Sequence, residues 1–281
     1  MAEAAALSYS ANQVRQGDPD RFLTALFAPA ERREALFALY AFNLEVARIP
    51  ELVRETMMGQ IRLQWWRDRL GEIEAGQPRD GAETPQALAA AIQTGALPFA
   101  SFETILTARE RDLDPTPPAD LAEFQDYAQN TAGELSMLAA RVLGASDDAT
   151  LSAARHIGTA WAMIGHLRSL GHHARAGRMT LPRATMGVTT AADVVHGRAR
   201  EAIVATARSV GAEAAALLSV ARALRRDIDK RALPALLLAP LADLHLRKLR
   251  SRHFNPLRPD IEIARPRKQA ALFLAATLGR Y

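Results

Sequence analysis

Three pairs of carboxylates stand four residues apart in this chain: Glu51/Glu55, Asp68/Glu72 and Glu110/Asp114. On a helix that spacing puts both groups on one face, and two hard oxygen ligands one turn apart suit Mg²⁺. Each pair has an arginine nearby in sequence, so a solvated face or an ion pair is the competing account. The stretch between Ala149 and Ala192 has the opposite character, with no Asp or Glu at all. Its basic groups include His156, His166, Arg168, His172, His173, Arg175 and Arg178. His166, His172 and His173 lack both carboxylate support and the helical spacing of a zinc site. Cysteine is absent, which removes disulfides, thiolate nucleophiles and thiolate metal sites. No Ser-His-Asp order, Gly-rich phosphate loop or dinucleotide fingerprint is present.

Two helices are expected to position much of this chemistry. Glu31 to Leu70 reads as an amphipathic pair meeting at Ile49-Pro50, because proline lacks the N–H and disfavours helix at the residue before it. Leu36, Leu39, Tyr40, Asn43, Val46 and Ala47 share one buried face, on which the Asn43 amide needs partners. Trp65 and Trp66 lie between Arg62 and Arg67, and one of them should be largely buried against the long helix that follows Thr190. Residues 1–17 read as a loose lead-in. Asp18 caps a short helix through Ala28 with Pro19 at its first position. Helices are then expected near 85–95, 98–113, 121–143 (stopped by Gly144) and from Asp147 or Asp148 to Gly171. A basic loop over 172–182 leads into one very long helix from Thr190 or Asp193 to Ala232. A helix over 233–253, bent by Pro240, and another over 267–278 complete the chain. No repeat or long linker divides it, so residues 18–281 read as one all-α domain, an orthogonal bundle.

Leu36–Ala47 (LFALYAFNLEVA) followed by Ile61–Asp68 (IRLQWWRD) resembles the squalene/phytoene synthase family. The run Ala174–Arg178 before Leu181-Pro182 resembles a loop of the same family, as do Tyr127, Ala132-Gly133 and Asp112. The resemblance implies an isoprenoid-synthase fold, in which two aspartate clusters on facing helices hold Mg²⁺ for a departing diphosphate. The first aspartate pair maps onto Ala47 and Glu51, the second onto Ser169 and His173. The resemblance therefore implies that the metal chemistry is gone. What remains of the pocket would be lined by Tyr40, Asn43, Glu55, Arg62, Tyr127, Arg168, Arg175 and Arg178. Its arginines would pair with Glu45, Glu51 or Glu55, or stand exposed at the mouth. Ala41–Glu45, Arg62–Trp66, Tyr127-Ala128 with Asn130-Thr131, and His156–Gly158 resemble a non-catalytic branch, that of the mitochondrial respiratory complex I assembly factor and its bacterial relatives. That branch implies complex I subunits or assembly intermediates as partners and no cofactor. Mg²⁺ returns only if the chain is a divergent prenyl transferase.

Arginine dominates the base, and the net charge is +4 over 281 residues. Such an excess suits acidic lipid or diphosphate, or is only a solvated surface. Arg222, Arg225, Arg226, Lys230 and Arg231, then Arg247, Lys248, Arg250 and Arg252, form basic clusters suited to an anionic membrane surface. An isoprenoid lipid is the other candidate ligand, and nucleic acid is disfavoured because no recognition motif accompanies the charge. The apolar run Leu233–Leu241 is interrupted by two prolines and falls short of the roughly 20 residues of a spanning helix. Without a signal or transit pattern at the start, the expected location is cytoplasmic and peripheral at the inner membrane, on the matrix side in a eukaryote.

Overall fold

The computed structural model describes residues 7–79 and 81–281, and no strand occurs among them. Helix α1 (Tyr9–Gly17) occupies the segment expected to be a loose lead-in. Ser8 caps it, its Oγ accepting from the Ala11 amide at 3.1 Å. Ala11 and Val14 are buried and the helix packs on α3, so apolar burial orders this segment; residues 1–6 lie outside the described ones. Asp18 then caps α2 (Pro19–Ala25), with Pro19 where its missing N–H costs nothing.

Helix α3 (Ala30–Leu52) runs straight past the expected break at Pro50. Pro50 sits in its last turn, and burial of Val46 and Ile49 holds that turn helical. The pair separates instead at Val53–Glu55, before α4 (Thr56–Glu74). Trp66 is 3% exposed but Trp65 is 40% exposed. Trp66 meets Phe42 edge to face at 4.9 Å, and Phe42 meets Phe102 at 5.3 Å. The buried tryptophan thus belongs to the α3–α6 core, not to the later helix expected to receive it. The outward stripe of α4, Met57, Ile61 and Trp65, stays exposed.

Helices α5 (Glu83–Gly95) and α6 (Phe99–Glu110) follow, and a 3₁₀ turn (Arg111–Leu113) extends α6. Asp120 caps α7 (Leu121–Ala128). A π-turn (Gln129–Gly133) links α7 directly to α8 (Glu134–Val142), beyond which Gly144 adopts a positive φ of 95°. Capped by Asp147, α9 (Asp148–Arg175) is the axis of the bundle and touches α7, α8, the π-turn, α12 and α14. It reaches one turn beyond Gly171, so His172, His173 and Arg175 are helical, not part of a basic loop.

The very long helix expected from Thr190 is three separate pieces. Thr190 and Asp193 form a capping box on the short α11 (Ala191–Val195), which α10 (Arg183–Met186) precedes. Helix α12 (Arg200–Ala223) is separate, and a 3₁₀ turn (Lys230–Ala232) follows. By length and composition α12 could cross a membrane, but its Ile203, Ala207, Val210, Ala214 and Leu218 are buried, and the helix packs on α9. Helices α13 (Leu233–Leu236) and α14 (Leu238–Ser251) divide at Leu237, which places Pro240 in a first turn, where no bend is needed. The last helix is α15 (Arg265–Thr277).

Candidate functional site

A cavity of about 460 Å³ opens between α3, the end of α6, the π-turn and α9. Ala47 and Glu51, a helical turn apart, form one wall with Asn43 and Arg48, while His166, Ser169 and His173 on α9 face them. Tyr127, Arg109, Asp112, Trp161 and Arg178 also line it, with Arg21. The fold therefore brings Ala47, Glu51, Ser169, His173, Asn43, Tyr127 and Arg178 together. It does not bring Tyr40, which lies buried beneath with the Arg21 guanidinium 5.8 Å from its ring centre. Burial raises the Tyr40 pKa to about 12, so the phenol stays protonated. Glu55 and Arg62 are exposed on α4, and Arg175 is exposed at the end of α9.

The arginines do not find the carboxylates expected for them. Arg168 reaches Asp20 at 3.5 Å and Glu262 at 3.4 Å, and stacks over Trp161. Arg178 donates to the backbone carbonyl of Asp112 at 2.7 Å. Glu45 turns away, accepting from Thr84 and Gln13. Glu51 lies at the rim, 3.6 Å from His172 Nε2.

A polar network centred on Arg109 forms the cavity floor. Tyr127 donates its O–H to Asp112, 2.7 Å from Oδ1 and 2.9 Å from Oδ2. Arg109 donates to the Tyr127 oxygen at 2.7 Å, to Asp112 Oδ2 at 3.1 Å and to Asn43 Oδ1 at 3.4 Å. The partner of the buried Asn43 amide is thus Arg109. Burial pushes the Tyr127 phenol far above its ordinary range, which keeps it a donor. Both oxygens of Asp112 are consequently engaged. Among the described residues, no group of three or more His, Asp or Glu is placed to hold a metal ion.

Arg109 did not stand out in the sequence. The only local signal was its spacing of three from Asp112; its other partners are 18 and 66 residues away. The π-turn was equally hidden, although such turns often mark functional sites. Here it places Tyr127, Thr131 and Ala132 on the cavity wall. Two loops are stitched together beside the cavity: the Arg183 and Ala184 amides donate to the Pro118 and Ala119 carbonyls at 2.8 and 2.9 Å.

The His166 ring lies against Phe124, Tyr127 and His173. Its Nδ1 has no hydrogen-bond partner among the described residues. Burial, then the neighbouring His173, pushes its pKa down to about 4, and burial pushes that of His245 down to about 2. The unfolded chain binds protons at these groups near pH 6.5 while the folded chain does not. Stability is therefore complete above about pH 6.5 and falls as pH drops towards 4, by about 1.4 kcal/mol per pH unit for each histidine. Urea midpoints measured across that range should show this slope. His166→Phe should remove the His166 share and leave that of His245.

An all-α bundle with a polar cavity between facing helices of this arrangement is an isoprenoid-synthase-type protein. Family comparison makes the class specific: the squalene/phytoene synthase model matches residues 14–269, and the chain belongs to that family. Among its relatives is the bovine (Bos taurus) protein described as NADH dehydrogenase (ubiquinone) complex I, assembly factor 6. It is 28% identical over 97% of this chain and 82% of its own length. A presqualene diphosphate synthase of Rhodopseudomonas palustris is 28% identical, but over 55% of this chain and 54% of its own length. A dehydrosqualene synthase structure superposes with a TM-score of 0.82 over 96% of this chain and 95% of that one, at 19% identity. The squalene synthase of Alicyclobacillus acidocaldarius gives 0.76 over 88% and 94%, at 22% identity, so both share the fold.

Proposed function

We propose that this chain acts without catalysis in the assembly of respiratory complex I, from the cytoplasmic side of the membrane that holds that enzyme. The observation that carries the reading is the make-up of the cavity. Its lining includes two carboxylates, one tied up by Arg109 and Tyr127 and the other half out in solvent at the rim. Arg48, Arg178 and His173 stand around the positions where a synthase would need carboxylates. That donor set does not fit Mg²⁺, which wants several free hard oxygens, and the two arginines would repel it. The near full-length match to proteins named as complex I assembly factors supports the same reading. The cation-rich cavity suits an acidic side chain of a partner subunit or a lipid headgroup, with no cofactor.

The reading predicts that purified protein supplied with Mg²⁺ and farnesyl diphosphate neither couples nor hydrolyses it. Deleting the gene should deplete assembled complex I and leave cellular isoprenoids unchanged. Arg48→Gln/Arg178→Gln should fail to restore assembly while its melting curve stays near that of the wild type. Metal-dependent turnover that disappears in Glu51→Gln would establish the prenyl transferase reading instead.

A further inference from the structure

We propose that the outer face of α15, with the arginines around it, is a docking surface for an anionic lipid bilayer. The surface follows from sequence and packing together. Gln269 to Gly279 is eleven residues without a charge, yet α15 is a surface helix. Its inner side is satisfied: Leu272 and Ala275 are buried, and Lys268 pairs with Asp20. Its outer side carries Phe273, Leu274 and Leu278, which are 65, 59 and 54% exposed. At helical spacing these form one patch with Ala270 and Thr277 between them. An aromatic and two leucines left mostly exposed by the described residues fit an interfacial helix that buries one face among acyl chains.

Charge decides between lipid and the other occupants of an apolar face. Residues 222–281 hold 14 Lys and Arg against 5 Asp and Glu, although the whole chain is only +4. Four of those five carboxylates are already engaged, Asp229 by Arg231, Asp243 by Arg222, Asp260 by Arg252 and Glu262 by Arg168. Arg225, Arg226, Arg265, Arg267 and Arg280 are exposed and make no ion pair among the described residues. They bracket the patch. Arg265 and Arg267 are at one end of α15, and Arg280 is at the other. The Tyr281 hydroxyl donates to the Ala221 carbonyl at 3.0 Å, and Arg222 Nε to the Tyr281 carbonyl at 3.1 Å. Those bonds hold Tyr281 against the end of α12, next to Arg225. A second copy of so basic a surface would be repelled, whereas anionic headgroups would meet every arginine while the patch enters the acyl boundary. The proposal does not depend on the assembly reading.

The test is flotation of the full-length protein with two kinds of vesicle: phosphatidylcholine alone, and phosphatidylcholine with phosphatidylglycerol in equal parts. The protein should float with the anionic vesicles at low salt and stay in solution with the neutral ones. Phe273→Ser/Leu274→Ser should weaken binding at least about tenfold. Each of Arg265→Gln, Arg267→Gln and Arg280→Gln should weaken it about fivefold. The substituted groups are exposed, so melting curves should not move; if the double variant is unstable, Leu278→Ser is the substitute. Met57→Ser/Ile61→Ser, on the exposed stripe of α4, should bind like wild type. Equal binding to both vesicle types, or loss in the α4 variant but not in the α15 variants, would overturn the proposal. So would a wild type that ignores anionic vesicles, or a dimer that the α15 variants dissociate.

Discussion

Asp20→Ala should destabilise the protein by about 3–5 kcal/mol, the cost of leaving a buried cation unpaired. Lys268 Nζ donates to both oxygens of Asp20, at 2.8 and 2.9 Å, and the two residues are only 7 and 5% exposed. Arg168 approaches the same carboxylate at 3.5 Å and has the more exposed Glu262 as its other partner. Removing Asp20 therefore strands Lys268 and leaves Arg168 with Glu262 alone, at a junction of α2, α9 and α15. Chemical denaturation should register the loss, along with a fall in Tm on the order of ten degrees. The double variant Asp20→Ala/Lys268→Met distinguishes pairing from packing. It should recover much of the loss, because a buried ion pair replaced whole is often nearly neutral while a broken one is not. A single variant as stable as wild type, or a double variant no better than the single, would show that the pair is not what holds α15.

The second large effect is expected at Gly158. A Cβ built there would lie 2.7 Å from Ser136 Cβ and nearer still to the Ala132 carbonyl oxygen and Ser136 Oγ. Ser136 could turn aside, but the Ala132 carbonyl is backbone within the π-turn and cannot. Gly158→Ala must push α9 off that turn, at a cost of about 3 kcal/mol, the upper end of overpacking effects. Alanine is the better helix former by roughly 1 kcal/mol, so propensity alone predicts the opposite sign. Gly165→Ala is the control, since its Cβ would meet nothing within 4 Å on the same helix. The two substitutions should move the unfolding midpoint in opposite directions.

What could be read in advance was local. The cap at Asp18 stood in the sequence, and that of α9 was narrowed to Asp147 or Asp148, because a cap is settled within three residues. The pairing of motif positions across the cavity was legible through the family resemblance. Breaks inside apolar patterns were not. Nothing in the alanine-rich run after Thr190 marks the end of α12 except Asp227 and Asp229. The Asp229 amide takes Thr150 Oγ1, 79 residues earlier, as its acceptor. Pro50 still forfeits its bond to the Val46 carbonyl, but burial of Val46 and Ile49 outweighs that loss, a tertiary effect that the local proline rule does not contain. The family resemblance implies a cavity position for Arg168. Its partners Asp20 and Glu262 come from distant parts of the chain, and no spacing rule reaches that far.

The stitched rim beside the cavity bears on how anything could get in. The Arg183 and Ala184 amides hold the 118–119 segment by main-chain bonds, and Arg178 holds Asp112 the same way from its side chain. Three bonds between two loops make that edge a seam rather than a flap, because opening it would leave donors and acceptors without partners. The end of α3 presents exposed side chains instead, Glu51 standing 3.6 Å from His172 Nε2 in solvent. Entry is therefore easier there, past side chains that can turn aside, than through main-chain bonds that would have to break.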